Sequence, residues 1–171
     1  MWYVIQTVNG KEETVKAWIE GAVSKASYDE CIIVYYEYKK KYLGKWHLEQ
    51  RKMFPGYIFI VTDTPEALKP ELRKVKEFTR LLGYDGEIVP VSEEEETFIK
   101  TLIQDDEVVD MSYGIQAGDR IEVKEGPLSG MEYLIKKVDR HKRKAYIEME
   151  FLGETRTVEI GLEIVEKKQD G

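Results

Sequence analysis

The chain has 171 residues, 42% hydrophobic and 35% charged, with a formal net charge of −7. That length and balance suit one medium or two small folded domains and exclude a fully disordered chain, and no run approaches the roughly 20 apolar residues of a membrane helix. One cysteine, Cys31, and two histidines, His47 and His141, exclude an internal disulfide and leave too few ligands for structural zinc in a monomer. The start, Met1-Trp2-Tyr3-Val4-Ile5-Gln6, carries no basic stretch and no small-residue cleavage motif, so a cytoplasmic protein is expected.

In chain order, residues 2–8 read as a short buried strand. Asn9 with Glu12 has the spacing of a capping box. Val15, Trp18, Ile19, Ala22 and Val23 then repeat on one helical face. Cys31 to Tyr36 reads as a strand, Lys39 to Lys45 as a basic turn region, and Trp46 to Val61 as the returning strand, interrupted at Pro55-Gly56. Pro65 opens a helix expected to reach about Val75, with Pro70 in conflict inside it. Phe78 to Leu82 reads as a further strand. Ser92 before four glutamates caps a helix whose apolar face is Phe98, Ile99, Leu102 and Ile103. This order suits an antiparallel sheet flanked by helices.

Residues 104–113 are polar, acidic and aperiodic, and are expected to be a linker between domains at 1–103 and 114–171. Beyond them, Ile121/Val123, Met131/Tyr133/Ile135, Ala145/Ile147/Met149/Phe151 and Val158/Ile160 alternate with polar residues. Gly118-Asp119, Gly126-Pro127, Gly130 and Gly153 punctuate the runs. That pattern predicts a small five-stranded SH3-like barrel. The whole is therefore expected to be α+β.

Charge is unevenly placed. Residues 136–144 hold six Lys or Arg and one Asp, whereas the rest of 113–171 is net acidic. One basic patch on an acidic body suggests a single anionic partner. Lys136, Lys137, Arg140, His141, Lys142, Arg143 and Lys144 are the candidate cations for phosphate or base edges, with Tyr146 as a stacking ring; a solvated charged turn is the plainer alternative. Arg51 to Ile60 is the second conspicuous run. Alternation places Tyr57 and Phe59 on one face and Ile58 and Ile60 on the other. The aromatic pair is either an exposed docking face or ordinary core. His47, His141, Cys31 and the Glu93–Glu96 run form no catalytic or metal-binding pattern, so neither an enzyme nor a cofactor is expected.

The Trp2-Tyr3-Val4-Ile5 start, the Arg51–Ile60 run, Phe78-Thr79-Arg80 leading to Pro90-Val91-Ser92-Glu93-Glu94-Glu95, and Gly118-Asp119…Gly126-Pro127…Gly130 occur in one order over nearly the whole chain. Together they resemble the NusG family of transcription elongation factors. The resemblance implies an N-terminal NGN domain that binds the clamp of the largest RNA polymerase subunit and a C-terminal KOW barrel that recruits a second partner. It places the clamp contact at Gln6, Phe54, Pro55, Tyr57 and Phe59, with Gln6 standing where family members often have an aromatic. The His-Thr-rich element by which antiterminator paralogs touch the opposite side of the polymerase cleft is replaced by Glu71-Leu72-Arg73-Lys74. The aromatic positions that meet Rho and a ribosomal protein fall on Met131 and Leu152, both without a ring. The basic barrel turn and the length resemble the LoaP subfamily of specialised antiterminators. That likeness implies an RNA hairpin in an operon leader as partner, bound through Lys136, Lys137, Arg140, His141, Lys142, Arg143, Lys144 and Tyr146. Lys39-Lys40-Lys41, Lys45, Arg51 and Lys52 are available for non-template DNA. A monomer without membrane contact is expected.

Overall fold

Strand β1 (Trp2–Gln6) is the apolar start of the chain, and it lies inside a sheet because both of its neighbours are apolar too. The computed structural model describes residues 1–73, 88–103 and 106–168. In it the chain forms two compact units, Met1–Ile33 with Phe54–Thr97, and Val34–Met53 with Phe98–Gly171.

In the first unit, β1 pairs antiparallel with β5 (Tyr57–Val61) and with β6 (Ile88–Pro90), and β2 (Glu30–Ile32) pairs with β5. Three consecutive β5 residues, Ile58, Phe59 and Ile60, are completely buried. Neighbouring residues point to opposite faces, so both faces of β5 are covered. Each such side chain contributes about 1.5–3 kcal/mol of apolar burial. Helix α1 (Glu12–Ala22) buries Val15 and Ile19. The expected capping box is absent, and Lys11 holds the cap position without a side-chain bond. Glu12 is instead fully buried, accepting the Gly10 N–H at 2.5 Å and the Gly56 N–H at 3.4 Å. Helix α2 (Pro65–Arg73) runs through Pro70 and buries Leu68 and Leu72. The expected continuation to Val75 and the strand at Phe78–Leu82 lie outside the described residues. Helix α3 (Glu93–Ile103), whose residues from Phe98 onward are counted in the second unit, starts as its sequence requires, with the Ser92 hydroxyl accepting the Glu95 N–H at 3.1 Å.

In the second unit, β3 (Tyr35–Tyr42) and β4 (Lys45–Lys52) form a hairpin. Its turn is Leu43-Gly44 alone, with φ of 54° and 75°. Two positive φ values define the turn that matches strand twist. Lys39 to Tyr42 are therefore strand rather than the expected turn region. β7 (Val108–Val109) pairs parallel with β3, and β8 begins at Ser112, so the segment expected to be a linker is partly strand. Strands β8 (Ser112–Ala117), β9 (Arg120–Glu125), β10 (Ile135–Asp139), β11 (Lys144–Phe151) and β12 (Glu154–Lys168) form the five-stranded sheet, ordered β10-β11-β12-β8-β9. β12 pairs parallel with β8 and the other pairs are antiparallel. The order leaves β9 and β10 at the ends of the five-stranded sheet, in the region expected to form the small β unit. The Met131/Tyr133 alternation is a 3₁₀ turn (Glu132–Leu134), not a strand, and Tyr133 is 77% exposed. Ala145, Ile147, Met149, Phe151, Val158 and Ile160 form the core as their alternation requires.

Candidate nucleic-acid interface

Strand β12 carries two different faces. Val158, Ile160 and Leu162 are buried, and the alternate residues Glu159, Gly161 and Glu163 meet the β3–β4 hairpin. A Cβ on Gly161 would overlap the Glu37 carbonyl oxygen and the Met111 sulfur, so only glycine admits β3 this closely. The two glutamates flank that contact. Glu159 accepts the Tyr36 hydroxyl at 2.5 Å and pairs with Lys144 at 3.3 Å. Glu163 pairs with Lys39 and, at 3.3 Å, with Arg143. Burial pushes both carboxyls up, but the Tyr36 hydrogen bond and the Lys144 charge hold Glu159 below the usual range. Lys39 and Arg143 do the same for Glu163. Burial beside Glu159 drives the Tyr36 hydroxyl upward.

Rings complete the joint. The Arg143 guanidinium lies 3.4 Å from the centre of the Trp46 ring, Lys144 lies 4.6 Å from that of Tyr38, and Arg51 4.7 Å from Tyr38 on the other strand of the hairpin. Next to this joint is a groove of about 360 Å³. Tyr38 to Lys41, Trp46 and Arg51 line it from the hairpin, and His141, Lys142 and Lys144 from the β10–β11 turn. The lining contains six Lys or Arg and no carboxylate.

The residues expected to bind RNA therefore divide. Arg140, His141 and Lys142 are exposed at the turn, whose shape is held by the Asp139 carboxylate accepting the Lys142 N–H at 3.0 Å. That bond holds Asp139 below the usual carboxylate range. Lys136 pairs with Glu148 at 3.8 Å on the surface, and Lys137 lies 5.8 Å from the Tyr146 ring. Lys144 is 5% exposed and faces Glu159 and Tyr38, and Arg143 is committed to Glu163 and Trp46. These last two were expected as open RNA contacts. They instead fasten the turn to the hairpin, because each meets a carboxylate and a ring there. Tyr38, Trp46, Glu159 and Glu163, none of them expected at a site from sequence, belong to this joint as well. The available signal was the Glu-x-Gly-x-Glu spacing on an otherwise apolar-alternating strand.

The expected clamp contacts lie in the first unit. Gln6 pairs in register with Tyr57, and both are half-buried. Pro55 is exposed, while Phe54 and Phe59 are 3% and 0% exposed. Phe59 packs 5.4 Å from Trp2 and 5.5 Å from Phe54, ring centre to ring centre. Of the two alternatives for this pair, Phe59 is core, and Tyr57 is left as one partly exposed ring over it. At Glu71, the carboxylate accepts the Ser24 N–H at 2.9 Å and the Ser27 hydroxyl at 3.0 Å. Met131 and Leu152 are both half-buried, and Leu152 occupies a tight turn with φ 53°.

Among the described residues no three His, Cys, Asp or Glu side chains gather to hold a metal, and no helix is long and apolar enough to cross a membrane. The chain thus combines a mixed α/β unit with a second unit built on a five-stranded sheet and carrying a cationic groove. The model of the family described as "NusG: Transcription termination factor nusG" matches residues 1–100, and the chain belongs to that family of transcription factors. It is similar over 97% of both chains to the transcription termination/antitermination proteins NusG of Helicobacter pylori strain J99, at 27% identity, and of Borreliella burgdorferi and Bacillus subtilis, each at 25%. A solved structure described as "Domain interaction in Thermotoga maritima NusG" superposes with a TM-score of 0.53 at 22% identity, covering 95% of this chain and 93% of that one. That likeness bears on the fold.

Proposed function

We propose that this NusG-type factor is a processive antiterminator recruited by RNA structure in operon leaders, in the manner of the LoaP subfamily. The first unit docks on the clamp of the largest RNA polymerase subunit through Pro55 and Tyr57, with Gln6 beside them and Phe54 and Phe59 shaping the surface from beneath. Docking there holds the clamp closed, so pausing and terminator-driven opening become harder. The second unit grips an RNA hairpin through Arg140, His141 and Lys142. Tethering by the RNA raises the factor's local concentration at the polymerase that made it. The observation that carries this reading is the exposed cationic turn on a chain of net charge −7. Its chemistry suits phosphate and single-stranded bases.

A second reading is favoured by Tyr133, 77% exposed at the 3₁₀ turn two residues beyond Met131. It offers a ring to a protein partner, as a general NusG-type factor recruiting Rho or the ribosome requires. Transcription by purified polymerase through an intrinsic terminator separates the two. Read-through that needs both the full chain and a structured leader supports the first. Effects independent of the leader, together with Rho binding that is lost in Tyr133→Ser, support the second and refute the first.

A further inference from the structure

We propose that the β3–β4 hairpin and the β10–β11 turn form one nucleic-acid site, whose occupant is a single-stranded segment such as the loop of an RNA hairpin. The inference rests on the RNA-binding reading above and adds to the turn a second wall, from a hairpin that lies inside the family-matched segment.

Three observations support it. First, the acids of this region are already engaged. Glu163 holds Lys39 and Arg143, and Glu159 holds Lys144. Those pairs fix the two walls against each other. Among the described residues no ion pair engages Lys40, Lys41 or Lys142, and all three are exposed along the groove. Second, the groove offers rings beside those charges. Trp46 is 40% exposed, and His141 is exposed across from it. Adjacent cations and rings suit a backbone whose bases are splayed out and stacked. A paired A-form stem keeps its bases out of reach in its deep groove, so the loop is the segment that fits. Third, the charge complements a polyanion. Six cations line the groove without a carboxylate, on a protein that is acidic elsewhere.

The test uses the full chain and three labelled probes: an RNA stem-loop, the same stem closed into a duplex without a loop, and single-stranded DNA of the loop sequence. Anisotropy is read at several salt concentrations for wild type, Lys40→Gln/Lys41→Gln, Arg140→Gln/Lys142→Gln, Trp46→Leu and the remote control Lys25→Gln. Each double variant is expected to flatten the log–log salt slope by about 1.4–1.8 and to weaken binding roughly twentyfold near 0.15 M salt, from about 0.7–0.9 in slope per phosphate contact. Trp46→Leu weakens binding to looped or single-stranded probes with the slope unchanged. Lys25→Gln binds as wild type, and the duplex binds weakly throughout. If the Lys40/Lys41 variant keeps wild-type affinity and slope while the turn variant loses both, the two-walled site is overturned and the turn-based reading survives. If wild type binds single-stranded DNA but not the RNA stem-loop, and the Lys40/Lys41 variant loses that binding, the groove stands and leader-RNA recruitment fails. If wild type binds neither, both fail.

Discussion

Gly161→Ala tests the joint between β12 and the hairpin by one methyl group. The added carbon would overlap the Glu37 carbonyl oxygen, which belongs to the β3 backbone and cannot rotate away, and the Met111 sulfur, which can. Forced overpacking of this kind costs about 1–3 kcal/mol. Strand β3 must retreat, and Lys39–Glu163 and Tyr36–Glu159 lengthen with it. A loss near 2 kcal/mol corresponds to a fall in Tm of about 4–8 °C for a chain of this size. It also corresponds to roughly thirtyfold faster exchange of the β3 amides where they open locally, at about 1.4 kcal/mol per tenfold. Hydrogen exchange of Tyr35–Tyr42, with denaturant unfolding, reads both. The control is Gly21→Ala, the same chemical change in helix α1 with nothing within 4 Å of the new carbon. It should stabilise the first unit by up to about 1 kcal/mol through helix propensity. Unchanged β3 exchange and an unfolding shift below about 0.5 kcal/mol in Gly161→Ala, within ordinary surface-mutation scatter, would refute the close approach as the reason for glycine.

Further outcomes follow from other contacts. Glu12→Gln replaces one acceptor oxygen facing the Gly10 and Gly56 amides with an amide group, and should cost about 1–3 kcal/mol in urea unfolding; a neutral result would show that Glu12 does not secure the Phe54–Tyr57 turn. Leu43 is 92% exposed with φ 54°, so Leu43→Asn should stabilise the hairpin by up to about 1 kcal/mol, since asparagine tolerates that conformation better; a lower unfolding midpoint would contradict it. Glu159 and Glu163 are held below their ordinary pKa in the fold. Their stabilisation is thus present above the ordinary carboxylate value of about 4.3 and is lost as pH falls through the depressed values. Acid unfolding of the second unit should lose part of that dependence in Glu163→Gln, and an acid limb identical to wild type would remove Glu163 from the account.

Much of the framework was legible before any coordinates. Val15 and Ile19 of the expected α1 face, the Ser92 cap and the alternation of 145–151 and 158–160 follow from local spacing, whereas Trp18 is only half-buried and Ala22 is exposed. What failed was also local in origin. Asn9 and Glu12 have capping-box spacing, but Lys11 takes the cap position, and the buried Glu12 carboxylate accepts from the Gly10 amide and, 44 residues on, from the Gly56 amide. The basic 39–45 segment looks like a turn because lysines are common in turns, yet Leu43-Gly44 closes the hairpin in two residues and leaves the lysines on a strand. Phe59 could not be assigned to an open or a covered face from alternation, because alternation tells the two faces apart without saying what lies on either.

The candidate site shows the same division. Sequence by itself determined that residues 136–144 concentrate positive charge and that a strand-rich region follows an α/β region. These are properties of composition and short-range periodicity, which the chain carries whether folded or not. Only the tertiary structure decided which cations face outward. Lys144 and Arg143 are as basic in sequence as Lys142, but Glu159, Glu163, Tyr38 and Trp46, all distant along the chain except through the fold, take up the first two and leave the third exposed. Charge availability is a matter of partners within a few ångströms, and partners so far apart in sequence are brought together only by strand pairing and by a glycine that lets two strands touch.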